Sequence, residues 1–302
     1  MIELPAIQTN RLCKSYGKME AVRDLTLSVA SHRITGFLGS NGAGKSTTIK
    51  MLLGMVRPTS GDGAVLGKRI DSQTESVDLR RSVAYVSEDK RLYSYMTVEQ
   101  MIRFTGSFYP GWSPEIANLL LRKYDLPADR KIKSLSKGMR TKLALLLAIA
   151  RRPKLLILDE PSEGLDPVGV EQLLESLVSQ CTDGTTVFFS SHQIEEVERI
   201  ADRVCILDHG RLLMDLSLDE IRQGYRQIDL VFPFAPPEIE FKIPGVESIE
   251  TKGRHMRVLS SRNSEEIVAR ARAFDASDVD VVPLGLREIF LKTVRENSHA
   301  LV

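Results

Sequence analysis

Cysteine, long apolar runs and an excess of one charge are all scarce in this sequence. The three cysteines, Cys13, Cys181 and Cys205, are odd in number, far apart and in no C-x-x-C spacing. That argues against a disulfide framework and fits a reducing compartment. The longest aliphatic run, Leu143 to Ala150, is followed by Arg151 and Arg152 and is far short of the ~18 to 20 apolar residues of a membrane span. Lys plus Arg is 41 and Asp plus Glu 40, a net charge of +1, so no bulk attraction for a polyphosphate backbone is expected and nucleic acid is not an expected partner. The opening MIELPAIQTNRL has no basic segment followed by a long apolar one. A secretory leader is therefore not expected, and a cytoplasmic protein is.

What is present is ordinary globular material, 42% hydrophobic and 27% charged over 302 residues. At about 150 residues per domain, that length suggests two domains. AVRDLTLSVA, a turn at Ser31 and His32, and the apolar RITGFLG lead into a glycine-rich loop. Ile49, Leu52, Leu53 and Val56 then recur at helical spacing up to Pro58, and RPTSGDGAVLG carries turn residues before a short strand. A strand is expected within Arg80 to Asp89, and residues 97 to 150 are mostly helical in pattern, broken at FYPGW and LPAD. Strand patterns return at LLILDE, TTVFFSSH and RVCILDHGRLL with helical patterns between them, the alternation of a parallel α/β sheet. Beyond about Gly224 the texture changes to proline-rich PFAPPEIEFKIPG, a β-like HMRVLSS, a helix over Ser264 to Phe274, and a closing amphipathic helix with Leu286, Ile289, Phe290 and Val294 on one side. The expected division is 1–224, with a helical part at about 90–150, and a small α+β extension at 225–302.

GSNGAGKST supplies Gly39, Ser40, Asn41, Gly42, Ala43, Gly44, Lys45, Ser46 and Thr47 in the G-x-x-x-x-G-K-[ST] pattern. In such a loop backbone N–H groups cradle phosphates, the lysine neutralises charge and the hydroxyl after it ligates Mg²⁺. The loop leaves an expected strand and opens an expected helix, as that mechanism requires. LLILDE brings Asp159 to the end of an apolar strand, where a carboxylate can hold the hydration shell of Mg²⁺, and Glu160 beside it can polarise an attacking water.

LSKGMR, Leu135 to Arg140, opens the helical run TKLALLLAIARRP between those two motifs. With it, the chain from residue 6 to about 220 resembles the ATPase subunits of ATP-binding cassette (ABC) transporters, whose signature is approximately LSGGQ. The resemblance implies an α/β P-loop NTPase cassette with a parallel-sheet core, an N-terminal antiparallel β subdomain, a helical subdomain and a small α+β C-terminal extension. It further implies that ATP is bound with Mg²⁺, that Tyr16 stacks on adenine, that Glu160 is the general base, and that Asp166 and His192 complete the site. Ser136 and Gly138 act in trans in that scheme, on nucleotide held by the loop of a second cassette, so a homodimer or a paired cassette subunit is implied. So are transmembrane permease subunits, which would hold the chain peripherally on the inner face of the membrane. RLYSYMTVEQMIRF, Arg91 to Phe104, resembles the segment that meets such a partner, and it reads equally well as plain helical core.

Two departures stand out. Glu88 occupies the position where the family commonly has a glutamine beside the metal, and a carboxylate ~5 Å from a γ-phosphate charge costs roughly 3 kcal/mol per charge pair at an effective dielectric near 20, unless Mg²⁺ lies between them. Lys137 and Met139 replace Gly and Gln of the signature. LREIFLKTV resembles the C-terminal add-on of drug and antibiotic exporter cassettes. A soluble cassette acting on ribosomes or DNA, and a regulatory nucleotide-binding module, are the alternatives.

Overall fold

The computed structural model describes residues 4–72 and 76–300. It divides into two compact units, Met1–Asp215 and Leu216–Val302. The first unit carries two sheets. Strands β1 (Ile7–Tyr16), β2 (Met19–Val29), β4 (Ser60–Val65) and β5 (Lys68–Arg69) form an antiparallel sheet in the order β2-β1-β4-β5. β3 (Ile34–Leu38), β6 (Val83–Val86), β7 (Leu155–Asp159), β8 (Thr186–Ser191), β9 (Arg203–Asp208) and β10 (Arg211–Ser217) form the other, in the order β10-β9-β3-β8-β7-β6. The pairs β3–β8, β3–β9, β7–β8 and β6–β7 are parallel. All residues of β3, β7 and β8 are buried, which explains why these segments are largely apolar rather than alternating.

The inner faces of the two sheets share one core, with Leu12, Leu25, Leu27, Phe37, Ile49, Leu52, Ile157 and Phe188 among its members. Phe37 and Phe188 on adjacent strands stack at 5.2 Å between ring centroids. Helix α1 (Lys45–Leu52) follows the glycine-rich loop, and α2 (Ser76–Ser82) precedes β6. Between β6 and β7 lie α3 (Val98–Gly106), α4 (Pro114–Lys123) and α5 (Lys137–Ile149), and their starts are written in the sequence. Thr97 and Gln100 close a capping box on α3, Ser113 caps α4 ahead of Pro114, and Ser136 caps α5. Helices α6 (Pro167–Thr182) and α7 (Ile194–Ile200) separate β7, β8 and β9.

The run RVCILDHGRLL is not one strand. His209 and Gly210 both adopt positive φ, 44° and 78°, and turn the chain between β9 and β10. The second unit begins before the compositional change at Gly224, because α8 (Leu218–Gly224) belongs to it. Leu218 and Ile221 are buried, Gly224 lies so close to the Ser261 carbonyl that a Cβ would collide with it, and Leu284 N–H donates to the Tyr225 carbonyl at 3.2 Å. Strands β11 (Arg226–Val231), β12 (Val246–Lys252), β13 (His255–Ser260) and β14 (Asp278–Pro283) form an antiparallel sheet in the order β12-β13-β11-β14. α9 (Ser264–Ala273) buries Ile267 and Ala271, four residues apart on one helix face, in a core with Ile228, Leu230, Phe232, Phe241, Met256 and Val258. α10 (Leu286–Ala300) closes the chain, with Leu286 and Ile289 buried.

Candidate functional site

Four neighbouring strands, β3, β8, β7 and β6, deliver the chemistry of the first unit at their C-terminal ends, the usual place for a ligand in an open α/β sheet. β3 runs into the glycine-rich loop, β7 ends on Asp159 with Glu160 next, β8 is followed by His192, and Glu88 lies two residues past β6. A cavity of about 570 Å³ opens there, lined by Asn41, Gly42, Gly44, Lys45, Ser46, Thr47, Glu88 and Glu160, with Met19, Glu20, Ala21 and Arg23 of β2 and His209 at its rim.

The loop is shaped by glycine. Gly42 and Gly44 have φ of 84° and 106°, a region L side chains rarely adopt, and Gly44 is the N-terminal cap of α1. From behind, the His209–Gly210 turn holds the loop: Gly210 N–H donates to the Ala43 carbonyl at 2.9 Å, and Arg23 N–H donates to the Gly210 carbonyl at 2.7 Å. Lys45, 6% exposed, donates to the carbonyls of Gly39 at 2.6 Å and Ser40 at 3.1 Å.

Glu160 is the hub. Its Oε1 stands 3.1 Å from Lys45 Nζ, an ion pair outside hydrogen-bond geometry. Its Oε2 lies 2.8 Å from His192 Nδ1 and accepts from the His192 backbone N–H at 3.3 Å. A carboxylate partner at Nδ1 sets the imidazole tautomer with the proton on that nitrogen. Glu160 has φ of 47°, an uncommon conformation for a residue with a long side chain, and two contacts hold it there. Its N–H donates to Ser190 Oγ at 3.1 Å, while that hydroxyl donates to Asp159 Oδ1 at 2.7 Å. Its carbonyl accepts from Lys90 Nζ at 3.4 Å. Burial lowers the Lys90 pKa, with the charges of Glu163, Glu88 and Asp159 opposing and that of Lys137 reinforcing.

The remaining expected residues lie outside the cavity lining. Tyr16 is half exposed at the end of β1, with the Lys14 ammonium 5.0 Å from its ring centroid; it pairs in register with Met19 at the cavity rim. Asp166 caps α6, its Oδ1 accepting from Gly169 N–H at 2.7 Å. Ser136, exposed, caps α5 by accepting from Met139 N–H at 3.1 Å. Gly138 packs against the Gly164 carbonyl, which a Cβ would approach to 3.1 Å. Gly39, Ser40 and Ala43 of the loop do not line the cavity, nor does Asp159, which is 2% exposed. Tyr95, Tyr93, Phe104 and Phe108 form, in that order, a chain of ring contacts, 5.9, 5.4 and 5.0 Å between successive centroids, on the exposed surface that follows Glu88.

The sequence reading missed Ser190, Lys90 and the rim residues. Paired serines ending the otherwise apolar TVFFSS, and the turn-forming His-Gly pair, were the available signals.

Comparison with known proteins gives the arrangement its family. The profile described as ABC transporter matches residues 22–163. The Nod factor export ATP-binding protein I of Neorhizobium galegae is 33% identical over 296 residues, 95% of this chain and 84% of that protein. The ABC transporter ATP-binding protein YtrB of Bacillus subtilis (strain 168) is 26% identical over 286 residues, 94% of this chain and 97% of that protein. A solved ATP-binding subunit of an ABC transporter is 32% identical with a TM-score of 0.66, covering 72% of this chain and 92% of the other. With its phosphate loop, its parallel-sheet core and these relatives, the chain belongs to the ABC transporter family as an ATP-binding, ATP-hydrolysing, energy-coupling subunit.

Proposed function

We propose that two such cassettes, this chain with itself or with a sister subunit, close on two ATP molecules and reopen after hydrolysis, moving transmembrane permease subunits of an exporter. The observation that carries the reading is Glu160, held between Lys45 and His192 at the edge of the phosphate-loop cavity. The N–H groups of the loop and of the first turn of α1 cradle the polyphosphate, and Lys45 neutralises it. Glu160 takes the proton of the water attacking the γ-phosphate in line, and His192 aligns that carboxylate through Nδ1 and contacts the γ-phosphate. For phosphoryl transfer this positioning and charge compensation is nearly the whole catalytic task.

Ser46, Glu88 and Asp159 are hard oxygen donors suited to Mg²⁺. Among the described residues no three His, Cys, Asp or Glu side chains form a self-contained cage, which suits an ion that keeps several waters and completes its shell with substrate phosphate. When bound there, Mg²⁺ neutralises charge on the β- and γ-phosphate oxygens.

The α5 N-terminus supports action in trans. Ser136 is exposed, Gly138 is half-buried and the first turn carries no acidic residue, so the turn presents N–H groups and a positive dipole end to an anion on another chain. Tyr16 offers an exposed ring for adenine, and Asp166 stiffens the segment between the base and α6. The aromatic chain from Tyr93 to Phe108 offers the surface for a permease, placing the chain peripherally on the inner membrane face; among the described residues no helix is long and apolar enough to cross a membrane. Export is supported by the relative whose name states Nod factor export.

The test is the full chain carrying Glu160→Gln. With Mg-ATP its phosphate release should fall about 100-fold or more while it pairs with itself or a sister subunit. An unchanged rate refutes the assignment of the base, and molecules that stay solitary refute the sandwich.

A further inference from the structure

Glu196 is a buried carboxyl that the hydrolytic scheme does not use. It lies in α7, 4% exposed. Its Oε2 accepts from Ser162 Oγ at 2.9 Å and from Ser191 Oγ at 3.1 Å, whereas Oε1 is buried without a hydrogen-bond partner. Burial raises its pKa and the charge of Glu160 adds to that, with the two serine hydroxyls opposing. An apolar side chain there would avoid the desolvation of a carboxyl, and α7 is already anchored by the fully buried Val197.

The two serines show what the carboxyl is positioned to do. Ser162 is two residues past Glu160, and Ser191 is the residue before His192. The last pairing between β7 and β8 is Asp159 with Ser190. Beyond it the strands give way to the two segments whose side chains meet at 2.8 Å, Glu160 to His192. Ser190 braces that junction on one side through Glu160 N–H and Asp159, and Glu196 ties together the segments that continue past it.

We infer that Glu196 is a positioning residue for ATP hydrolysis, which through Ser162 and Ser191 holds Glu160 opposite His192. The inference rests on Glu160 being the base. Its prediction is a split between turnover and binding: Glu196 does not line the cavity and reaches it only through the segment of Glu160, whereas the polyphosphate cradle is built by the loop and the start of α1, so nucleotide affinity is spared and the chemical step is not.

The experiment compares the full chain with Glu196→Leu, Glu196→Gln, Ser162→Ala and Ser191→Ala, measuring kcat, KM, binding of a fluorescent ATP analogue and thermal melting. Glu196→Leu should lower kcat about tenfold or more while KM and analogue affinity stay within about twofold, the pattern of an interaction needed for the reacting geometry only. Glu196→Gln keeps an oxygen that can accept from both hydroxyls, so it should recover kcat to within about threefold of the parent. The serine variants, each losing one arm, report the same loss in smaller steps if Glu196→Leu does not fold. Combined with Glu160→Gln, Glu196→Leu should lower the residual rate no further. A parent-like kcat in both serine variants, equal losses in kcat and analogue affinity, or an additive effect in the Glu160→Gln background each overturns the inference. An active Glu160→Gln chain instead refutes the base assignment, so the two failures are told apart.

Discussion

Removing the Ser190 hydroxyl tests the construction of the site more directly than removing any residue that faces the cavity. Ser190 is 0% exposed, Asp159 is 2% and Glu160 is 6% exposed, so water cannot replace what Ser190→Ala takes away. The oxygen accepts from Glu160 N–H at 3.1 Å and donates to Asp159 Oδ1 at 2.7 Å. A net ~1 kcal/mol for the neutral bond and ~1.5 to 3 kcal/mol for the one to a carboxylate put the loss at roughly 3 kcal/mol, with no correction for the small void. For a unit of this size, Met1–Asp215, each kcal/mol moves the melting temperature by ~2 to 4 °C, so a fall of roughly 6 to 12 °C is expected. Scanning calorimetry and urea titration of the full chain measure it, and an unchanged m-value ensures that stability rather than denatured-state compactness is read. A shift under about 2 °C would mean that neither bond contributes as argued, and the account of how Glu160 is held would fail.

Three further outcomes are expected. Gly44→Ala forces a side chain onto a φ of 106° and against the Ala21 carbonyl; strain of ~1 to 3 kcal/mol in the loop should weaken binding of a fluorescent ATP analogue about tenfold or more, and tight binding would refute the cradle geometry. The Tyr124 phenol, buried and donating to Ser176 Oγ at 2.8 Å, is pushed by burial from 10.0 up to about 12. Folding thus favours its protonated form, a contribution that is complete below the ordinary value and lost as pH rises through about 12; Tyr124→Phe should remove one late step from the ultraviolet phenolate titration. Lys137→Met should return the Glu163 carboxyl toward its ordinary range, since the Lys137 hydrogen bond is the leading cause of its lowering. A lowered carboxyl stabilises the fold above its unfolded value and loses that contribution as pH falls, but the pair is half exposed and the change in stability should stay within about 1 kcal/mol, measured by NMR titration and melting in acid.

The parts of the site legible in the sequence are those whose chemistry is written in local spacing. Gly39 to Thr47 must sit between a strand and a helix to work, Asp159 and Glu160 must end an apolar strand, and helix starts advertise themselves through Ser113, Ser136 and Asp166. What escaped is long-range. Ser190 reaches Glu160 across 30 positions of sequence, and nothing local says that β8 lies between β3 and β7. Strand β1 was hidden by register shifts between Thr9, Leu12, Lys14 and Ser15 that break its alternation. In the second unit, β14 is a largely exposed edge strand ending on Pro283, so it carries neither the apolar run nor the clean period of two that would mark it.

The signature shows how geometry changes the meaning of a departure. Read alone, Lys137 in LSKGM is a charge where the family commonly has glycine. In the fold its Nζ pairs with Glu163 at 2.5 Å, and its aliphatic stem lies over Gly164, where a Cβ would come within 2.7 Å of Lys137 Cγ. Gly164 has φ of 82°, so glycine there answers both the backbone and the stem above it. Glu163 lies three residues past the base and Lys90, near enough to feel both Glu163 and Lys137, donates to the base's own carbonyl. The charges at 90, 137 and 163 therefore form one cluster running from the segment after Glu88 to the signature turn. A change at position 137 alone leaves Glu163 without its hydrogen-bonded cation, whereas Lys137→Gly together with Glu163→Ser removes both ends of the pair. The double variant should disturb hydrolysis less than Lys137→Gly by itself.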